Sequence, residues 1–294
     1  MPSNFVIMGL PASGKTTFLA ALWHLVEAGE TTSRLLLDRY EGDLAYLNRI
    51  AQAWRNFQKV PRTSQVGDVN VTIHLVNRET GVKGAAFFPD LAGETFDSQV
   101  ESRRCRPEFI DAVARDDGIL FFISADVKSD SMSIVELNSM MPPDAMPQEN
   151  SGTAHEGKQA ESPPAVVAEW TPKLIPAQVR AVQILSDFLR PPFEPRLRRL
   201  AVIISAWDLT DGMDLEPQAW LSKNMPLVSQ FLQTNSSSFT YQVYGVSAQG
   251  VNLENQTAIH EATQLVPSRR IRVVGPDENG HDLTAPLVWL MSKE

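Results

Sequence analysis

Gly9-Leu10-Pro11-Ala12-Ser13-Gly14-Lys15-Thr16-Thr17 fits the pattern G-x-x-x-x-G-K-[ST] at every specified position. Its flanks decide what the pattern means. Before it, Phe5-Val6-Ile7-Met8 is an uncharged apolar run that reads as a buried strand. After it, Phe18, Leu19, Leu22, Leu25 and Val26 recur at helical spacing, and Gly29 stands where a helix would stop. Strand, glycine loop and helix in that order make the pattern a phosphate cradle rather than a chance glycine turn. The loop's backbone N–H groups and the helix N-terminus then face polyphosphate oxygens. This assigns Gly9, Ala12, Ser13, Gly14, Lys15, Thr16 and Thr17 to the anion, with Lys15 as a point charge at the β/γ positions and the Thr16 hydroxyl on Mg²⁺. Pro11 has no N–H to donate, so the loop offers one donor fewer than it might.

Working outward, 294 residues with 43% hydrophobic content allow a sizeable core, and we expect a single domain over 1–294 with insertions. A net charge of -9 argues against a broad nucleic-acid or anionic-membrane surface. The lone Cys105 makes no internal disulfide, the N-terminus lacks the layout of a signal peptide, and no run is long enough to cross a bilayer. A cytoplasmic protein without a membrane span is the expectation.

Downstream of the first helix, Arg34–Leu37 reads as a short extended piece and Arg39–Lys59 as an amphipathic helix, an insertion over 39–60. Pro61 breaks it. Alternation at Val69, Val71, Ile73 and Leu75, a turn at Asn77–Gly81 and a second run Val82–Phe88 predict an antiparallel hairpin. The hairpin ends in Pro89-Asp90-Leu91-Ala92-Gly93-Glu94, and an acid at a strand end facing the phosphate loop suits a Mg²⁺ site. Phe96–Arg106 reads as polar and irregular, and Pro107–Arg115 as a helix. Gly118–Ala125 and Arg198–Ser205 read as strands buried on both faces. Between them, 128–175 is rich in Ser, Pro, Gln, Glu and Met and is expected to be a disordered insertion, followed by a helix over Ala177–Leu189. A helix over Pro217–Gln233 kinked at Pro226, a strand over Phe239–Val246, a helix near Glu254–Leu265, a strand at Ile271–Val274, a polar turn at Pro276–Gly280 and a helix over Ala285–Met291 complete the chain. The alternation implies an α/β domain whose sheet is mainly parallel with one antiparallel edge strand, ligands binding beyond the C-terminal strand ends. The five histidines show no ligand spacing, so no protein-only metal site is expected.

The order of motifs resembles the Ras-like and translation-factor class of P-loop GTPases. Gly9–Thr16 matches that class's phosphate loop and Asp90-Leu91-Ala92-Gly93 its Asp-x-x-Gly. Ser205-Ala206-Trp207-Asp208 matches its base-reading Asn/Thr-Lys-x-Asp in part, and Ser247-Ala248-Gln249 matches its Ser-Ala-Lys in two of three positions. The phosphate loop, with the helical insert before Pro61-Arg62-Thr63, is similar to a bacterial subgroup of these GTPases found in conflict or defence gene clusters. The resemblance implies a three-layer GTPase-like fold, GTP and GDP as ligands, Mg²⁺ as cofactor and a protein effector not identified by the sequence. It also implies Asp208 with Ser247 and Ala248 at the base, Asp90 at the metal, Thr63 (or Ser64) as the switch residue on Mg²⁺ and the γ-phosphate, and Glu94 where relatives carry a water-orienting glutamine. A carboxylate at Asp208 accepts both N–H donors of guanine's Watson–Crick edge, which adenine does not present. Ala206 replaces the family's base-flanking lysine, so affinity is expected to be lower, and the charge of Glu94 near the γ-phosphate implies slow turnover. Arg62, Arg103, Arg104 and Arg106 are the candidates for a charge-neutralising arginine. A P-loop kinase and a nucleotide-binding scaffold with negligible turnover are the alternatives. The kinase is disfavoured by the arginine-free insertion, and the scaffold is favoured by Glu94 and Ala206.

Overall fold

The computed structural model describes residues 3–60, 70–89, 94–105, 107–114, 118–126, 175–276 and 278–292. Their elements are β1 (Ser3–Gly9), α1 (Lys15–Ala28), β2 (Leu35–Glu41), α2 (Leu44–Arg55), β3 (Val71–Asn77), β4 (Lys83–Phe88), α3 (Glu94–Ser102), α4 (Pro107–Ala114), β5 (Gly118–Ser124), α5 (Ala177–Asp187), β6 (Arg198–Ser205), α6 (Pro217–Asn224), α7 (Pro226–Thr234), β7 (Phe239–Ser247), α8 (Gln256–Ala262), β8 (Arg272–Gly275), β9 (Glu278–Gly280) and α9 (Ala285–Met291). Short 3-10 turns occupy Trp207–Thr210 and Pro267–Arg270. All of these elements fall within one compact unit, residues 1–127 and 177–294. The segment 128–175, expected to be a disordered insertion, lies outside the described residues except for Ile175.

Among the described residues the sheet has nine strands in the order β2-β3-β4-β1-β5-β6-β7-β8-β9. The core strands β4, β1, β5, β6 and β7 run parallel, so their C-terminal ends share one edge. The expected hairpin is β3–β4, with Val71 opposite Phe88. The antiparallel part is larger than one strand: β2 pairs outside β3, and β8 and β9 extend the other side. From β1 the chain goes first to β4 on one side and later to β5 on the other, which puts the loop after β1 at the point where strand order reverses.

Two-residue alternation divides the core. Phe5, Ile7, Leu120, Phe122, Ala201 and Ile203 join α1, α2 and α9 in one buried cluster. Their neighbours Val6, Met8, Phe121, Val202 and Ile204, equally buried, point to the opposite face. Helix α1 is buried at every residue from Phe18 to Leu25 because α2 covers its outer side. The stripe Tyr46, Leu47, Ile50, Ala51 and Trp54 makes that cover, and each large side chain contributes ~1.5–3 kcal/mol by burial.

Three expectations are corrected. Arg39–Glu41 are in β2, not a helix: Asp43 caps α2 by accepting from the Ala45 and Tyr46 N–H groups, and the helix starts only at Leu44. The stretch read as irregular from Phe96 carries α3, anchored by buried Phe96, Gln99 and Val100. The turn expected at Pro276–Gly280 contains β9, three residues held by backbone pairing to β8.

Candidate functional site

Gly14, in the left-handed region at φ +86°, ends the loop after β1 and begins α1. A Cβ there would lie 2.8 Å from the Ser205 side chain, so the loop is seated against the end of β6 and only glycine fits. Gly14 has no side chain to cap the helix, and no acid stands in the first turn of α1. The positive end of the helix dipole, with Thr16 and Thr17 half-buried in that turn, is suited to an anion. Ala12 is exposed with φ +58°, and Ser13 is buried with its N–H on the Leu10 carbonyl.

The Lys15 side chain is 4% exposed. Its ammonium donates to the carbonyls of Gly9 (2.8 Å) and Leu10 (2.7 Å) and to Ser13 Oγ (3.3 Å), and lies 5.8 Å from the centre of the Phe96 ring. These neutral acceptors offset part of the cost of burying the charge.

Beyond Ser205, Ala206 turns the chain with φ +53° into the 3-10 turn that carries Asp208. Ser247 Oγ, 2% exposed at the end of β7, bridges two parts of Asp208: it accepts from the backbone N–H and donates to Oδ1, each at 2.7 Å. The carboxylate keeps Oδ2 for another donor. Trp207 is 2% exposed, packs against Gly245 and meets Trp220 edge-on. It is a core residue that anchors the turn. Ala248, 8% exposed, follows Ser247 directly. The structure therefore brings the loop of Gly9–Thr16, Ser205, Asp208 and Ser247–Ala248 to the same edge of the sheet.

Thr63, Ser64, Asp90, Arg62 and Arg106 lie outside the described residues. Glu94 is the first residue of α3. Arg103 is paired with Asp187 at 3.2 Å, and Arg104 is exposed.

Sequence reasoning missed the link between Trp54 and the loop that carries Ala248 and Gln249. The Trp54 indole N–H donates to the Ala248 carbonyl at 2.9 Å, and Gln249 Nε2 donates to the Trp54 carbonyl at 3.2 Å. No local signal reveals a contact between residues 194 apart in the chain; the only hint is a tryptophan on the apolar stripe of α2.

The family model of Double-GTPase 1 matches residues 6–290, from the second half of β1 through almost all of α9. The chain belongs to the Double-GTPase 1 family. It is thus a member of a P-loop GTPase family with a GTP-binding, GTPase-type domain. No curated protein matches this Double-GTPase 1 chain. Among the described residues no helix is long and apolar enough to cross a membrane, and no three His, Cys, Asp or Glu side chains are placed to hold a metal by themselves.

Proposed function

We propose that this chain is a Mg²⁺-using switch that binds GTP and hydrolyses it slowly, its nucleotide state read by a protein effector. The observation that carries this reading is the Asp208 carboxylate held by Ser247 at 2.7 Å, at the end of the strand whose Ser205 abuts the phosphate loop. A base accepted by Asp208 and phosphates accepted by the loop then belong to one ligand.

In this reading Gly9, Ala12, Ser13, Gly14, Thr16 and Thr17 surround the phosphates, and Lys15 exchanges the Gly9 and Leu10 carbonyls for phosphate oxygens. Asp208 accepts from the two N–H donors of guanine, with Ser247 fixing its rotamer and Ala248 at the base edge. The hard oxygen donors Thr16, Asp90 and Thr63 suit Mg²⁺, and Thr16 sits at the uncapped end of α1 where the phosphates would arrive. Held by these residues, Mg²⁺ would supply charge neutralisation to the nucleotide's phosphates. Thr63 and Glu94 act at the γ-phosphate, where the Glu94 carboxylate repels and keeps turnover slow. A scaffold with negligible turnover is the second reading, favoured by Arg103 being engaged with Asp187 instead of offered as a catalytic charge.

Competition against fluorescent GTP tests the binding: GTP and GDP displace it and ATP does not, whereas displacement by ATP as well as by GTP contradicts the reading. Turnover separates the two readings. A measurable wild-type rate raised by Glu94→Gln supports the switch, and near-zero rates in both support the scaffold.

A further inference from the structure

Trp54 is fully buried on α2, a helix outside the phosphate loop and the base-end turns. Its indole N–H is spent on the carbonyl of Ala248, the residue next to the Ser247 that holds Asp208. The return bond from Gln249 Nε2 to the Trp54 carbonyl means that two consecutive loop residues are tied to one residue of α2. Gly250 follows, and its backbone lies so close to Arg270 that a Cβ would approach the Arg270 carbonyl oxygen to 2.0 Å. Arg270 in turn places its guanidinium 4.7 Å from the Trp54 ring centre and 4.2 Å from that of Phe57, and donates to the Arg55 carbonyl at 3.4 Å. Burial pushes the Arg270 guanidinium down to about 10, with Glu30 opposing the shift, so it stays charged at neutral pH. The loop after β7 is therefore held from behind by a tryptophan that is itself clamped.

From this clamp we infer that Trp54 is a positioning residue for nucleobase recognition: α2, through the Ala248 carbonyl, sets the loop that stands beside Asp208 at the guanine edge. This rests on the reading of Asp208, Ser247 and Ala248 as the base site. Guanine carries an acceptor, O6, next to the N1–H that Asp208 takes, so the backbone after Ser247 must present a donor at a fixed place. A loop fixed before the ligand arrives spares the ordering cost on binding. The phosphate loop makes none of these contacts, and Trp54 meets α1 at His24, 5.1 Å between ring centres, in the half of that helix remote from its phosphate-facing N-terminus, so Trp54 acts on the base rather than on the phosphates.

Trp54→Phe in the full chain tests this, because it removes the N–H and keeps an aromatic ring over Arg270. Affinities for GTP and ATP are measured by competition, with the melting temperature of the nucleotide-free variant as a check on folding. One lost hydrogen bond corresponds to a fall of about three- to tenfold in GTP affinity, while ATP, held by its phosphates, stays unchanged. Gln249→Ala, at a half-buried side chain, narrows the GTP-over-ATP preference in the same direction by about twofold. Equal losses for GTP and ATP overturn the proposal, since they mean Trp54 only supports the fold. A guanine preference that Asp208→Asn abolishes and Trp54→Phe leaves intact overturns this proposal alone. A wild-type chain with no preference for GTP over ATP overturns the base site and the proposal together.

Discussion

Two helices stand beside the expected switch segments, and they are fastened in opposite ways. Helix α2, before Thr63, is held by a buried seam: Trp54 at 0% exposure, the Trp23 indole N–H on Asn48 Oδ1 at 3.1 Å, and the Arg270 guanidinium against two aromatic rings. Helix α3, which begins at Glu94 after the Asp-x-x-Gly, has Phe96 in an edge-on aromatic chain through Phe109 to Phe193, but its outer end is held by charge. There Asp187 of α5 accepts from Gln99 at 3.0 Å and from Arg103 at 3.2 Å, with Arg190 at 2.5 Å. Arg103 and Arg190 are about half exposed, so each pair is worth ~0–1 kcal/mol. A buried aromatic seam changes state only by unfolding locally; a solvent-screened latch exchanges partners at little cost. Under the proposed function, that difference makes α2 the constant support of the base end and α3 the movable side of the switch.

The largest expected effect is at Trp54. Trp54→Ala should cost about 3–5 kcal/mol in denaturant unfolding, by lost burial, the cavity left and an unpaired Ala248 carbonyl. Asp187→Ala should cost about 1–2 kcal/mol, chiefly because buried Gln99 loses its acceptor. Equal losses at the two sites would break the contrast.

Acid sharpens it. Burial raises the Glu30 carboxyl, but the backbone N–H of Ser268, His24 and the Ser268 hydroxyl together outweigh that and hold it below the usual range near 4.5. A lowered carboxyl adds stability above that range and loses it as pH falls through the folded-state value. Wild type should therefore lose stability on acidification below about 4.5 by more than Glu30→Gln does, and Glu30→Gln should itself cost ~0.5–1.5 kcal/mol at pH 7. The smallest effect is Arg103→Ala, ~0–1 kcal/mol at low salt and vanishing near 1 M salt; a salt-independent loss would mean that α3 is held by packing alone.

The parts of the fold written in local pattern were legible. β1, the glycine loop and α1 follow from apolar run, glycine spacing and helical period, and the β3–β4 hairpin from alternation around Asn77–Gly81. The helix expected from Arg39 began late because apolar period alone places no start; Gly42, with φ +115°, followed by the capping Asp43 was the stop signal for β2 and the start of α2. Helix α3 looked irregular because its apolar face has only Phe96 and Val100, completed by a polar Gln99 whose burial depends on Asp187. β9 has no side-chain signature, being held by its backbone to β8. At the site, strand-end motifs marked Gly9–Thr16, Asp208 and Ser247–Ala248. The Trp54 clamp was invisible because it exists only once α2 and the loop after β7 are folded together.

Asp208→Asn is the most direct test of guanine reading at the Ser247-held carboxylate. Replacing the acceptor by an amide donor should weaken GTP by at least about tenfold and tighten xanthosine triphosphate, whose ring presents an acceptor at that position. Unchanged preference between the two nucleotides in Asp208→Asn would contradict the account.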